Sequence, residues 1–395
     1  MRRILGLFGS SVALLAVLAG CSSLTDVEQV AVEEVVARDG VPFSSPALPL
    51  QVLDRLAQHK LVVVGETHHL RDHYELMARL VRDLHARGFR QLLLEWPQMA
   101  DWLLADLVLD GGLVPDWRPP VSLGGEMIEA VRDFNRTLSA EERVHVRGID
   151  VNLSDYGGLD AFLDLLESLS EQLPDSGPIG SFLLAAHQPP DRHEEALTVL
   201  RSELQARRSE LVDLWGSAWY ETVAEMIDVE LVSVTVRGMR EDDYDGSVRI
   251  RENELKRLAD LRLSGYAHRT LLNVGGNHAQ KSYLKGTDQE WLGDYLVHRS
   301  TAVGGSTIVL GVTAARIVSG STVQYDIMDA SPGDELFRLM HETWPAQTVF
   351  LPLDDPLFST GGVRMNFEGR IHRGRPKQLY DAFLQYPLAH RVPLP

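Results

Sequence analysis

Glu66 and His68 stand two residues apart, directly after the apolar run Leu61-Val62-Val63-Val64-Gly65. A carboxylate and an imidazole at that spacing suit proton transfer, or two donors to a metal ion. The pattern recurs along the chain. Glu95 follows Leu92-Leu93-Leu94, Asp150 and Asn152 close the stretch Val144–Val151, and Asn273-Val274-Gly275-Gly276-Asn277-His278 ends a fourth apolar run. A carboxylate after three leucines is costly to bury unless it is paired, hydrogen-bonded or metal-bound. Plainer readings exist for each residue: Glu66 and Asp150 could cap helices, His278 could pack under its Gly-rich turn, and His69 reads as loop. Those coincidences would have to recur four times, so one acidic, imidazole-rich cleft is the expectation.

The elements that must position these groups are legible from periodicity. Leu61–Val64 is mostly β-branched and reads as a buried strand, broken by Gly65. Gln91–Trp96, Val144–Val151 and Thr270–Val274 read likewise. Thr307–Val312 and Thr348–Leu351 are further strands, and Leu379–Leu384 reads as a returning edge strand. Between the first two strands, His73–Gly88 has helical spacing, with Leu76, Met77, Leu80, Val81 and Leu84 on one face and Gly88 as the stop. Strands separated by helices predict an α/β fold with a mostly parallel sheet flanked by helices on both faces. Ligand sites of such sheets lie beyond the carboxyl ends of the strands. From about 155 to 265 the strand signals fade. Leu159–Leu173, His193–Trp215, Trp219–Val236 and Ser247–Leu263 are helical and highly charged. They read as a helical insertion capping the strand C-terminal edge of a single domain spanning 51–395.

The first residues have a different character. Arg2 and Arg3 precede the apolar stretch Ile4–Ala19, and Leu18-Ala19-Gly20-Cys21 follows the form of a lipobox. Residues 1–20 therefore read as a lipoprotein signal peptide, with Cys21 lipidated and 21–50 a tether. Cys21 is the only cysteine of the 395 residues, so no thiol remains for disulfides, thiolate catalysis or zinc. Ser22 after the cysteine suggests the outer membrane, facing the periplasm. The formal charge is −18, and −20 without the two arginines, which argues against nucleic acid as a partner. The expected membrane contact is the lipid alone.

Gly65-Glu66-Thr67-His68, the strand-ending Glu95 and Gly275-Gly276-Asn277-His278 resemble the paired Gly-x-x-His signatures of one superfamily. It unites erythromycin esterase-like proteins, Tiki metalloproteases and ChaN-type haem-binding lipoproteins. The resemblance spans about 60–315. Asp72-His73-Tyr74 is similar to the ChaN opening, whereas Leu379–Leu384 with Pro393-Leu394 resembles the close of esterase-like domains. By this resemblance Glu66, His68, Glu95 and His278 match the active-site residues of the hydrolytic members. Arg251 matches a helix-borne arginine, followed by Glu252, although Leu255 stands where the family has methionine.

Two chemistries follow from that resemblance, with a third reading beside them. In the first, the protein hydrolyses an ester or peptide bond in a small-molecule or peptide substrate. Glu66 or Glu95, raised in pKa by burial and a like-charged neighbour, activates water while His68 or His278 polarises the carbonyl or protonates the leaving group. The same Glu66, His68, Glu95 and His278 could instead hold a divalent zinc, manganese or cobalt ion. No Gly-x-Ser-x-Gly elbow is present in the sequence, which argues against a serine acyl-enzyme. In the second, the protein is a haem carrier in iron uptake with His73 or Tyr74 as axial ligand; the alternative for these two is exposed first-turn residues. The third is a non-catalytic interaction lipoprotein, against which the retained acids and histidines argue.

Overall fold

The computed structural model describes residues 26–44, 47–112, 117, 119, 124–153, 158–173, 177–186, 193–284, 287–329, 335–361, 363, 365 and 375–392. Cys21, the signal-like segment, Pro393 and Leu394 lie outside the described residues. Among the described residues, β1 (Val41–Phe43), β2 (Leu61–Glu66), β3 (Phe89–Pro97), β4 (His145–Asp150), β5 (Arg269–Gly275), β6 (Thr307–Ala314), β9 (Thr348–Pro352) and β10 (Ala382–Tyr386) form one sheet. A smaller sheet holds β7 (Arg316–Ser319), β8 (Thr322–Asp326) and β11 (Ala389–His390).

The large sheet runs β1-β9-β10-β6-β2-β5-β3-β4, and the strands from β10 to β4 are all parallel. Only β9 runs against its neighbours. β2 is buried along its whole length because its side chains alternate between two packed faces. Val62 and Val64, with Leu92, Leu94 and Leu271, face the helices Arg71–His85 and Gly125–Asn135. Leu61 and Val63, with Leu93, Leu272 and Val274, face Tyr244–Leu263, Leu292–His298 and Glu335–Thr343. The α/β sheet covered on both faces is thus as the periodicity predicts.

Three expectations are corrected. The segment Leu379–Leu384 is not an edge strand. Pro376–Leu379 is a short helix, Pro376 occupying its first turn as proline favours, and β10 begins at Ala382 in the interior between β9 and β6. The tether expected over 21–50 is folded from Asp26 onward. Asp26–Asp39 is a helix whose Val32, Val35 and Val36 are buried at i, i+3, i+4 spacing, and β1 then joins β9. Five acidic residues dilute that apolar stripe in the sequence. The insertion divides in two. Its last helix, Tyr244–Leu263, covers a sheet face, while its other described helices build a separate core around Phe162, Phe182, Leu197, Leu200 and Met226. No helix of the described residues is long and apolar enough to cross a membrane.

Candidate functional site

The carboxyl ends of β2, β3, β4 and β5 carry the groups picked out above, and the parallel register brings them together. Glu66 pairs with Gly275 across β2 and β5. Gly65 permits the close approach of the following short helix, Gly276–Ala279. A Cβ there would sit 2.7 Å from Cβ of Ala279.

One half of the cluster centres on Glu66. His68 Nδ1 donates to Glu66 Oε1 at 2.8 Å, since an ionised carboxylate only accepts. Asn273 Nδ2 donates to Oε2 at 2.9 Å, and His73 Nε2 lies 3.0 Å from the same oxygen and 2.6 Å from Asn273 Oδ1. Burial works against the charge on Glu66, but the nearby His73 and the hydrogen bond from His68 hold its carboxyl well below the ordinary range. For His68, burial again opposes charge. The hydrogen bond to Glu66 and the field of Glu95 prevail and raise the imidazole to about 9. Half of the His68 side chain remains exposed. Its Nε2 edge lies over Gly275, where a Cβ would come within 2.8 Å.

The other half centres on Glu95. Arg251, reaching in from Tyr244–Leu263, donates to Glu95 Oε1 at 2.6 Å and to both oxygens of Asp150 at 2.9 and 2.5 Å. The Gly275 N–H donates to Glu95 Oε2 at 2.6 Å, and His278 Nε2 lies 3.3 Å from Oε1. His278 Nδ1 is hydrogen-bonded to the wholly buried Glu252, which also accepts from the Leu292 N–H at 3.0 Å. Burial opposes ionisation throughout, yet His278 and Arg251 hold Glu95 well below its usual value. Glu252 and Glu95 in turn raise His278 to about 10 despite its burial.

A cavity of about 180 Å³ opens between these halves, lined by Glu66, His68, His69, Tyr74, Glu95, Asp150, Arg240, Arg251 and Asn273, among others. The structure therefore unites Glu66, His68, Glu95, His278, Arg251 and Asp150 in one cluster. His69, read as loop, lines the cavity with a left-handed backbone, φ 64°. Asn152 turns away to Glu230 and Ser233 of the insertion.

The expected raising of Glu66 or Glu95 is overturned. Each carboxylate has cationic neighbours at hydrogen-bond distance rather than another carboxylate, so its charge is favoured. A metal held by Glu66, His68, Glu95 and His278 does not fit either. Both His278 nitrogens face carboxylates, the Arg251 guanidinium already occupies Glu95, and no group of three His, Cys, Asp or Glu among the described residues is arranged to hold an ion. Haem does not fit His73. Its ring is wholly buried, Nε2 faces Glu66 and Asn273, and Nδ1 has no hydrogen-bond partner among the described residues. Tyr74 is buried as well, so neither is an exposed first-turn residue. A haem would need more room than the cavity of about 180 Å³ offers.

Four participants take roles not read from the sequence. His73 and Asn273 brace Glu66, Glu252 braces His278, and Arg240 lines the cavity near the insertion. Asn273 at the end of an apolar run and Glu252 beside Arg251 were visible as polar residues in costly places. Arg240 gave no signal, because its segment is charged throughout.

An open α/β sheet with its polar cluster at the strand carboxyl ends defines the class of this protein. Within that class it shares its fold with an erythromycin esterase. EreC, carrying a histidine-to-asparagine substitution and in an open conformation, aligns at TM-score 0.60 and 16% identity over 87% of this chain and 95% of that one. A Bacillus cereus protein aligns at TM-score 0.67, with 13% identity over 92% and 98% of the two chains. A succinoglycan biosynthesis protein does so at 0.65, with 14% identity over 93% and 99%. No family model and no curated protein matches the chain.

Proposed function

We propose that the protein is a hydrolase of small ester or amide substrates, with the Glu66–His68 pair as its proton-transfer centre. The observation that carries this reading is the geometry of His68. Its Nδ1 is anchored on a buried carboxylate, while the opposite edge of the ring stands half-exposed at the cavity. Neutral His68 takes a proton from water at Nε2 as the water attacks a carbonyl, and the resulting imidazolium returns it to the leaving group. Glu66 fixes the tautomer and stabilises the charged ring. Arg240, which makes no ion pair among the described residues, lies on the cavity wall where a developing oxyanion or a substrate carboxylate would meet it. Arg251 and His278 hold Glu95 and the strand ends in place. The esterase fold supports the same class of chemistry.

Because His68 is raised to about 9, its base form is scarce at neutral pH. The expected kcat/KM for an activated ester rises with pH through an inflection near 9. In Glu66→Gln the inflection falls toward the ordinary histidine value of about 6.5. A pH profile that is flat from 6 to 10, or one that Glu66→Gln leaves in place, sinks this mechanism.

The setting follows from the N-terminal residues. Cys21 carries the lipid, and the domain faces the periplasm from the outer membrane. Metabolic labelling with an alkynyl fatty acid is expected to mark the wild-type chain and not Cys21→Ala. Equal labelling of both removes the anchor.

A further inference from the structure

A second cavity, about 340 Å³ and larger than the one at the candidate site, lies away from the cluster between the helix Asp101–Leu109 and the helices Ser217–Met239 and Tyr244–Leu263. Two half-buried tryptophans, Trp102 and Trp219, line it together with Gln98, Asp101, Glu225 and Arg262. Trp102 is held in place by its indole N–H, which donates to the Ala161 carbonyl at 3.0 Å.

Three charges of this groove, on Arg262, Asp101 and Glu225, are already matched to one another. Arg262 Nη2 donates to Asp101 Oδ2 at 3.0 Å and to Glu225 Oε1 at 2.9 Å, and the other oxygen of Asp101 accepts the Gly148 N–H. An ionic ligand would compete with that chain of ion pairs. A neutral one need not. Two polar atoms of the lining remain unmatched: Gln98 Oε1, an acceptor, and Arg262 Nε, a donor, are buried without a hydrogen-bond partner among the described residues. Gln98 is itself 1% exposed. Buried polar atoms are rarely left so, and each asks for a partner. A hydroxyl group supplies both, donating to one and accepting from the other. Tryptophan adds flat, apolar walls carrying a polar edge.

We propose that this groove is a binding site for a neutral saccharide, about one or two sugar units in size, separate from the Glu66–His68 site. Its hydroxyls meet Gln98 and Arg262, and the C–H face of a ring lies on Trp102 or Trp219. Peptides have the same donor and acceptor types in an extended backbone, but the edge strand β4 reaches the groove through Arg147, and the neighbouring Gly148 N–H that a pairing peptide would need is already taken by Asp101.

The test is a titration of the full chain with cellobiose and with chitobiose, followed by tryptophan emission and by saturation-transfer NMR. Saturable binding is expected, weakened about tenfold or more by Trp219→Ala and by Gln98→Leu, each removing a contact from the groove. His68→Ala should leave it unchanged, which separates the groove from the candidate active site. Trp219 is half-exposed, so its variant is expected to fold, whereas Trp102→Ala loses the bond to Ala161 and is the less stable probe. Three results overturn the proposal. These are no saturable binding of either disaccharide, binding that both groove variants leave intact, and tighter binding of a short peptide or an alkylammonium ion at the same tryptophans.

Discussion

Glu66 and Glu95 both lie at the carboxyl ends of parallel strands, Glu66 buried and Glu95 nearly so, and both face a histidine, yet their surroundings differ. Around Glu66 the partners are an amide, a buried imidazole and the half-exposed His68. Around Glu95 they are a guanidinium shared with Asp150, a backbone N–H and the buried His278, itself held by Glu252. The first half leaves one ring edge facing the cavity. In the second the charges are matched to one another, and Glu95, Asp150 and Arg251 reach the cavity wall already paired. Identical residue types thus take different roles according to whether a neighbouring helix supplies counter-charges, as Tyr244–Leu263 does for Glu95 alone.

That contrast can be broken from either side. The largest effect belongs to the open half: His68→Ala is expected to lower kcat/KM for an activated ester by about 10²–10⁴-fold while thermal unfolding stays near wild type. A comparable loss of stability would mean that His68 is structural. Next, Arg251→Met leaves the buried Asp150 without its cation and takes from Glu95 one of its two cationic partners, His278 being the other. Urea unfolding should show a loss of about 3–5 kcal/mol, the range for breaking one partner out of a buried ion pair. Gly275→Ala places a Cβ against His68 Nε2 and is expected to reduce kcat about tenfold with little change in KM, through misplacement of the ring. An unaltered kcat would show that the ring does not need its position over Gly275.

The smallest effect is a pH dependence of stability with opposite signs at the two extremes. Glu66 and Glu95 lie below their ordinary values, so their contribution is present above the usual carboxylate range and is lost as pH falls through it and below. His278 is raised, so its contribution is complete below about 6.5 and is lost as pH rises through about 10. Melting temperatures measured from pH 3 to 11 should fall at both ends. His278→Gln should flatten the alkaline limb and also weaken the acid one, because His278 helps to hold Glu95 down. Identical alkaline limbs in the two proteins would contradict this network.

Much of this arrangement was readable before any coordinates. Leu61–Val64, Gln91–Trp96 and Thr270–Val274 announced buried strands because nothing else explains β-branched and leucine runs that end in acids and amides. Position on a shared edge followed from parallel topology. The signs of the pKa shifts did not follow, since they depend on Arg251 and His278 arriving from distant segments. β10 was misread for a related reason. An apolar pentapeptide near the end of a chain has the same composition in the middle of a sheet as at its margin, and only pairing with β9 and β6 decides which it is. The Asp26–Asp39 helix was hidden by its acids, which mask a three-valine contact stripe.

The place of β10 has a consequence for how the molecule comes into being. Residues 382–386 sit between β9 and β6, one strand removed from the β2 that carries Glu66, and β1 reaches its own partner some three hundred residues later in the chain. Such long-range pairings form slowly, because the loops they close are large. An N-terminal fragment lacking β10 leaves two unpaired interior edges in place of a finished sheet. The eight-stranded sheet is therefore complete only once residues 382–386 are in place, although β2, β5, β3 and β4, which carry the polar cluster, pair among themselves.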